Sequence, residues 1–178
     1  MTQRIAAVDP DTATGKTKEL FDTIKAANGR VANIMKTMGN SPAALSGYLA
    51  LNGALAEGLL PAQLREQIAL AIGEANRCEY CISAHTAIGK MAGLDESDVS
   101  AARQSKADDD KTEAALAFVH KLVVARGQIS DDELANVRAA GYTDGEIVEM
   151  IAHVALNTFT NYFNLTARTV VDFPRVEM

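Results

Sequence analysis

The stretch LREQIALAIGEANRCEYCISAHTAIGKMAGL, Leu64 to Leu94, reads as two helices broken once in the middle. Pro61 opens the first, Leu64, Ile68 and Ile72 recur at helical spacing, and the pattern fades between Gly73 and Arg77, as glycine inside a helix weakens it. The second starts at about Cys78, runs to Met91 and is closed by Gly93, a residue that adopts the left-handed stop conformation freely. Beyond this stretch Val, Ile and Thr never gather into alternating runs, whereas Ala, Leu, Glu, Lys and Met dominate nearly every segment. The fold class this predicts is all-α, a helical bundle of about eight helices.

Working outward, KTKELFDTIKAANG places Leu20, Phe21 and Ile24 on one face and ends at Gly29. RVANIMKTMGN then reads as a connector, and Ser41-Pro42 as the cap and first turn of a helix to Glu57. On the C-terminal side Asp95 with Asp98 starts a short helix, Ala107 to Asp110 is a linker, and KTEAALAFVHKLVVARG carries a wide apolar stripe. Ser130 with Glu133 and Thr143 with Glu146 match the capping box. The last helix is read through Val171, with a kink in its Asn/Thr-rich part.

The 178 residues suit one domain spanning 1–178. Hydrophobic residues at 48% and charged residues at 22% exclude a disordered chain. A net charge of −6 without a basic run gives no footprint for nucleic acid or anionic lipid. No apolar run reaches membrane-spanning length and no secretory signal opens the chain, so a cytoplasmic protein is expected. In a reducing cytosol a close cysteine pair is catalytic or metal-binding rather than a structural disulfide.

Cys78, Cys81 and His85 follow one another at three and four residues, so they share one helix face. Three readings stand. Two thiolates and an imidazole suit zinc, although structural zinc takes four ligands and no second pair is present. Two small cysteines could simply pack an Ala-rich helix. A redox pair needs a thiolate at neutral pH, which a helix beginning near Cys78 would favour through its free amides and dipole. Such a thiolate needs a proton carrier, for which His85 is placed and Glu66 is a further candidate. Twelve residues of straight helix span about 18 Å, so Glu66 can meet the site only if the chain folds back at Asn76-Arg77.

Glu66, Cys78, Cys81 and His85 form the pattern E-x(11)-C-x-x-C-x-x-x-H. With the text around it, this resembles the alkylhydroperoxidase D-like, or carboxymuconolactone decarboxylase-like, superfamily, and the remaining helices resemble its peroxidase-related branch. The resemblance implies an AhpD-like all-helical protein that forms trimers or hexamers, with a redox core over about 60–93 and no cofactor. It implies a thiol peroxidase in which Cys81 takes the peroxide oxygen and Cys78 is the more exposed resolving thiol. His85 and Glu66 would form the proton relay. Hydroperoxide would be the substrate, and the reductant a thiol carrier such as a lipoylated protein. Where the best-known pattern has a second histidine, this chain has Tyr80, which can hydrogen-bond but stays neutral near pH 7. Tyr80 is therefore an auxiliary candidate only.

His120 and His153 sit in apolar helical stripes and read as core or interface residues. Asn157, Asn161 and Asn164, beside Phe159, Tyr162 and Phe163, read as an oligomer interface. Met35 and Met38 read as core fillers, and Asp108 to Asp110 as a solvated helix start.

Overall fold

In the computed structural model, which describes residues 2–178, the chain forms α1 (Gly15–Asn28), α2 (Asn33–Met38), α3 (Pro42–Ala56), α4 (Ala62–Ala75), α5 (Glu79–Met91), α6 (Glu96–Arg103), α7 (Asp110–Val124), α8 (Asp131–Ala139) and α9 (Asp144–Ala167). There is no strand among the described residues. The two expected capping boxes form, and the Asp95–Asp98 helix start is a third: Asp95 with Asp98, Ser130 with Glu133 and Thr143 with Glu146 exchange side-chain and backbone hydrogen bonds at the starts of α6, α8 and α9. Ser41 caps α3 through Ala44 N–H, and Asp109 caps α7 through Thr112 N–H.

Two sequence expectations differ from the structure. The connector at residues 30–40 contains α2, a ninth helix of six residues. Its N-cap is Ala32, without a side-chain bond, and fewer than two turns leave no period to read. Ile34 and Met38 nevertheless bury against Phe21 and Leu45, so packing rather than propensity forms it. The last helix is α9, 24 residues of unbroken helix, and it stops at Ala167 rather than Val171. Asn157 Nδ2 donates to His153 O at 2.9 Å and Thr160 Oγ1 to Asn157 O at 3.0 Å, so these polar side chains bond back onto an intact helix. Arg168 ends it in the left-handed conformation, with φ at 52°.

The reversal at Asn76-Arg77 organises the molecule. Arg77 takes φ 55°, Arg77 N–H bonds Glu74 O, and Cys78 N–H bonds Gly73 O, both at 2.9 Å. This two-bond C-terminal motif satisfies the last carbonyls of α4 and turns the chain at once into α5. The two helices approach closely: a Cβ on Gly73 would stand 3.1 Å from Ile82 Cδ1, and one on Gly89 would stand 3.6 Å from Glu66 Cβ. Gly73 leaves room for Ile82 of α5 against α4, and the ordinary spacing from Gly89 to Glu66 shows the two helices running side by side.

α4 packs on α5, α6, α7 and α9 and is the central helix. Its Ile68, Leu70 and Ile72 join Leu116, Val119 and Met150 in one core. A second core holds Phe21, Ile34, Met38 and Leu45 together with Cys78, Tyr80 and Cys81. The segment after α9 crosses the outside of α5. Asp172 accepts hydrogen bonds from Tyr80 Oη at 2.8 Å, from Asn33 N–H and from Arg30. Phe173 stacks edge-on against Tyr80, and Val176 N–H bonds Ser83 Oγ.

Candidate active site

Cys78 is the N-cap of α5 and Cys81 stands in its first turn, with Cys81 N–H donating to Cys78 Sγ at 3.3 Å. The two are joined by a disulfide with Cα atoms 5.3 Å apart. Both sulfurs therefore sit at the positive end of a 13-residue helix, which favours thiolate over thiol when the bond is reduced. The resemblance implies a more exposed Cys78, and here the structure differs. Cys78 is 1% and Cys81 3% exposed, because the turn from α4 and the second core enclose the N-cap. Of the pair, Cys81 lines the neighbouring cavity.

The fold-back brings Glu66 to the site. Its Oε2 lies 2.8 Å from His85 Nδ1, with both side chains largely but not fully enclosed. His85 is one turn after Cys81 on the same face of α5, and Glu66 faces it from α4. A carboxylate on one ring nitrogen holds the imidazole in a single orientation and leaves the other nitrogen for proton exchange.

Cys81, Glu66 and His85 all line one cavity of about 240 Å³. Ile34, Ala69, Ala84, Leu156 and Phe173 make its apolar wall, with Tyr48, Asn52 and Arg65 towards α3 and α4. The side facing α9 is polar, built from His153, Asn157, Thr160 and Asn164 at intervals of four, three and four residues. The sequence reading of Asn157, Asn161 and Asn164 as an oligomer interface is thus corrected. All three are buried. Asn161 Oδ1 accepts from Asn76 Nδ2 at 2.9 Å, and Asn164 Nδ2 points to Cys81 Sγ at 3.5 Å. Phe159 and Tyr162, from the same run, are on the outside.

His153, read as a core or interface residue, is buried in the cavity wall, and its Nε2 has no partner. Burial, reinforced by the Arg65 charge, pushes its pKa below the ordinary value, so it stands neutral. Burial and the nearby Glu66 carboxylate push the Tyr48 hydroxyl pKa up. Tyr80 faces the cavity with its ring, but its hydroxyl donates to Asp172 and accepts from Ile34 N–H at 3.2 Å. Burial, with Asp172, raises its pKa strongly, so Tyr80 ties the outer segment to α5 and has no proton to give the sulfurs. His120 is half-buried on α7, away from the cavity. Met38 fills the core as expected, whereas Met35 reaches the cavity wall.

Among the described residues no three His, Cys, Asp or Glu side chains converge into a metal shell. Sequence reasoning missed Asn164, Arg65 and Tyr48 as site neighbours. The amide periodicity was a visible signal for the first, but its direction depends on which face of α9 meets α5.

Residues 42–122 match the family model described as the carboxymuconolactone decarboxylase family. An uncharacterized protein of Haemophilus influenzae is 56% identical over 45 residues, a match covering 25% of this chain and 40% of that protein's own length. Among solved structures, an uncharacterized peroxidase-related protein from Ralstonia eutropha JMP134, described as an alkylhydroperoxidase AhpD core, superposes with a TM-score of 0.86 at 23% identity, covering 96% of this chain and 92% of that one. A variant of the debrominase Bmp8 in complex with 2,3,4-tribromopyrrole superposes with a TM-score of 0.80 at 20% identity, covering 97% and 93%.

Proposed function

We propose that the chain is an alkylhydroperoxidase D-like, carboxymuconolactone decarboxylase-like thiol-dependent peroxidase reducing hydroperoxides through the Cys78/Cys81 dithiol–disulfide couple, a reading supported by the family-model match over residues 42–122 and by the shared fold. The observation that carries this is the shared cavity: one sulfur of a helix-capping cysteine pair and a Glu66–His85 hydrogen bond open into the same enclosed space.

In the reduced protein the Cys81 thiolate attacks the terminal oxygen of the hydroperoxide. The S–O bond forms, the O–O bond breaks, and the alkoxide leaves with a proton delivered through His85, which Glu66 orients. Cys81 is then a sulfenic acid. Cys78 loses its proton to the relay and attacks the Cys81 sulfur, hydroxide departs as water, and the disulfide results. A dithiol carrier, such as a lipoylated protein, returns two electrons and two protons. In this reading Cys78 resolves from a buried cap rather than from the surface.

The partner side of the reading is a homo-oligomer, a trimer or hexamer. α3 carries no charged residue and is mostly apolar, yet only Leu45 and Leu55 are buried. Beside it α9 exposes Val148, Ile151, Phe159 and Tyr162. Apolar side chains left uncovered on two adjacent helices suit a subunit contact.

The test is anaerobic. Reduced protein receives one equivalent of hydrogen peroxide or an alkyl hydroperoxide, and intact mass is followed for minutes. Loss of about 2 Da in the wild type, with a sulfenic acid trapped on Cys81 in Cys78→Ser, is expected. No reaction, or stoichiometric zinc in the purified protein, refutes the peroxidase.

A further inference from the structure

Asn164 has a buried amide with no task in the relay described above. It is 4% exposed, lines the cavity, donates from Nδ2 towards Cys81 Sγ at 3.5 Å, and leaves Oδ1 buried without a partner. Of its neighbours on that face, Asn157 and Thr160 bond the backbone of α9 and Asn161 Oδ1 accepts from Asn76, while the unpartnered His153 Nε2 and Asn161 Nδ2 make no hydrogen bond to the Cys81 sulfur. A buried carbonyl oxygen with nothing to accept carries a desolvation penalty, and a donor filling the cavity removes it.

A hydroperoxide supplies such a donor, because the oxygen that a thiolate attacks is the one bearing hydrogen. We propose that Asn164 is a catalytic residue of the peroxide step, its Nδ2 donating to the Cys81 sulfur and its Oδ1 accepting the O–H of the oxygen under attack. This rests on the peroxidase reading. One planar amide then holds nucleophile and electrophile side by side, which fixes their approach before reaction. As the S–O bond forms and the O–O bond breaks, the electron pair leaves on the alkoxide. The O–H stays on the oxygen now bound to sulfur and continues to donate to Oδ1 until Cys78 displaces it as water. An amide does not titrate, so it serves both forms of the site.

The experiment uses the full chain in a Cys78→Ser background with Asn164→Leu, of nearly the same shape, and Asn164→Asp, which keeps acceptors but removes the donor. Two reagents are compared across pH: iodoacetamide, which needs only the thiolate, and hydrogen peroxide. Both variants are expected to move the midpoint of the Cys81 alkylation profile upward by about one pH unit. On the high-pH plateau, where every thiol is ionised, Asn164→Leu is expected to alkylate at the wild-type rate yet react with peroxide about 10-fold more slowly. Unchanged profiles with unchanged peroxide plateaus overturn the assignment. An equal fall for both reagents also overturns it, since that marks lost access. If the parent protein alkylates but is inert to peroxide, the peroxidase reading falls together with the acceptor role, while the alkylation midpoints still decide the donor role.

Discussion

At the scale of single residues, the site depends on which partner each proton-bearing group has been given. Glu66 holds His85 at 2.8 Å, so Glu66→Gln should keep the fold and slow peroxide-driven disulfide formation by about 100-fold, measured as thiol loss under single turnover. His153 is the opposite case, a histidine whose pKa burial lowers. The unfolded chain therefore binds the proton more readily between that lowered value and the ordinary histidine value of about 6.5, and stability falls as pH drops through that window. Urea midpoints at pH 7.5 and 5.5 should separate in the wild type and draw together in His153→Gln. The four-residue pattern Glu66, Cys78, Cys81 and His85 was legible from spacing and resemblance, since i+3 and i+4 spacing holds on any helix. Tyr80, Asn164 and His153 were not, because their roles depend on a tail carboxylate, a sulfur and a cavity supplied by segments distant in sequence.

At the scale of elements, the α4–α5 reversal sets the distance between relay and sulfur. Arg77 occupies a left-handed position where glycine is usual. Arg77→Gly should stabilise the protein by up to about 1 kcal/mol, and Arg77→Val should destabilise it by a similar amount, both read from denaturant midpoints. Helices with side-chain caps, α3 and α5 to α9, began close to where the sequence placed them, as a cap is a local bond. α2 escaped because its apolar residues make sense only against Phe21 and Leu45. The end of α9 escaped because Arg168, unlike a glycine, gives no warning of a left-handed stop.

At the scale of the whole molecule, α3 and α9 combine an uncovered exterior with a wall of the cavity, to which α3 adds Asn52 and Ala56. Val148→Glu with Phe159→Glu should convert a multiple of the 18.9 kDa chain into that single mass by light scattering. Unchanged mass would place the subunit contact elsewhere. The all-helical class was legible because it needs only periodicity, whereas the uncovered exterior of α3 and α9 was not, since an apolar position reads the same whether it faces the core or the outside. α9 carries both demands on a single helix, with Asn164 turned to the sulfur and Val148, Ile151, Phe159, Tyr162 and Leu165 turned outward. Random variation along 144–167 would accordingly be filtered twice. A saturation scan scored for growth under peroxide should find two minima of tolerance in each turn, with freely varying sites confined to the narrow seams between them.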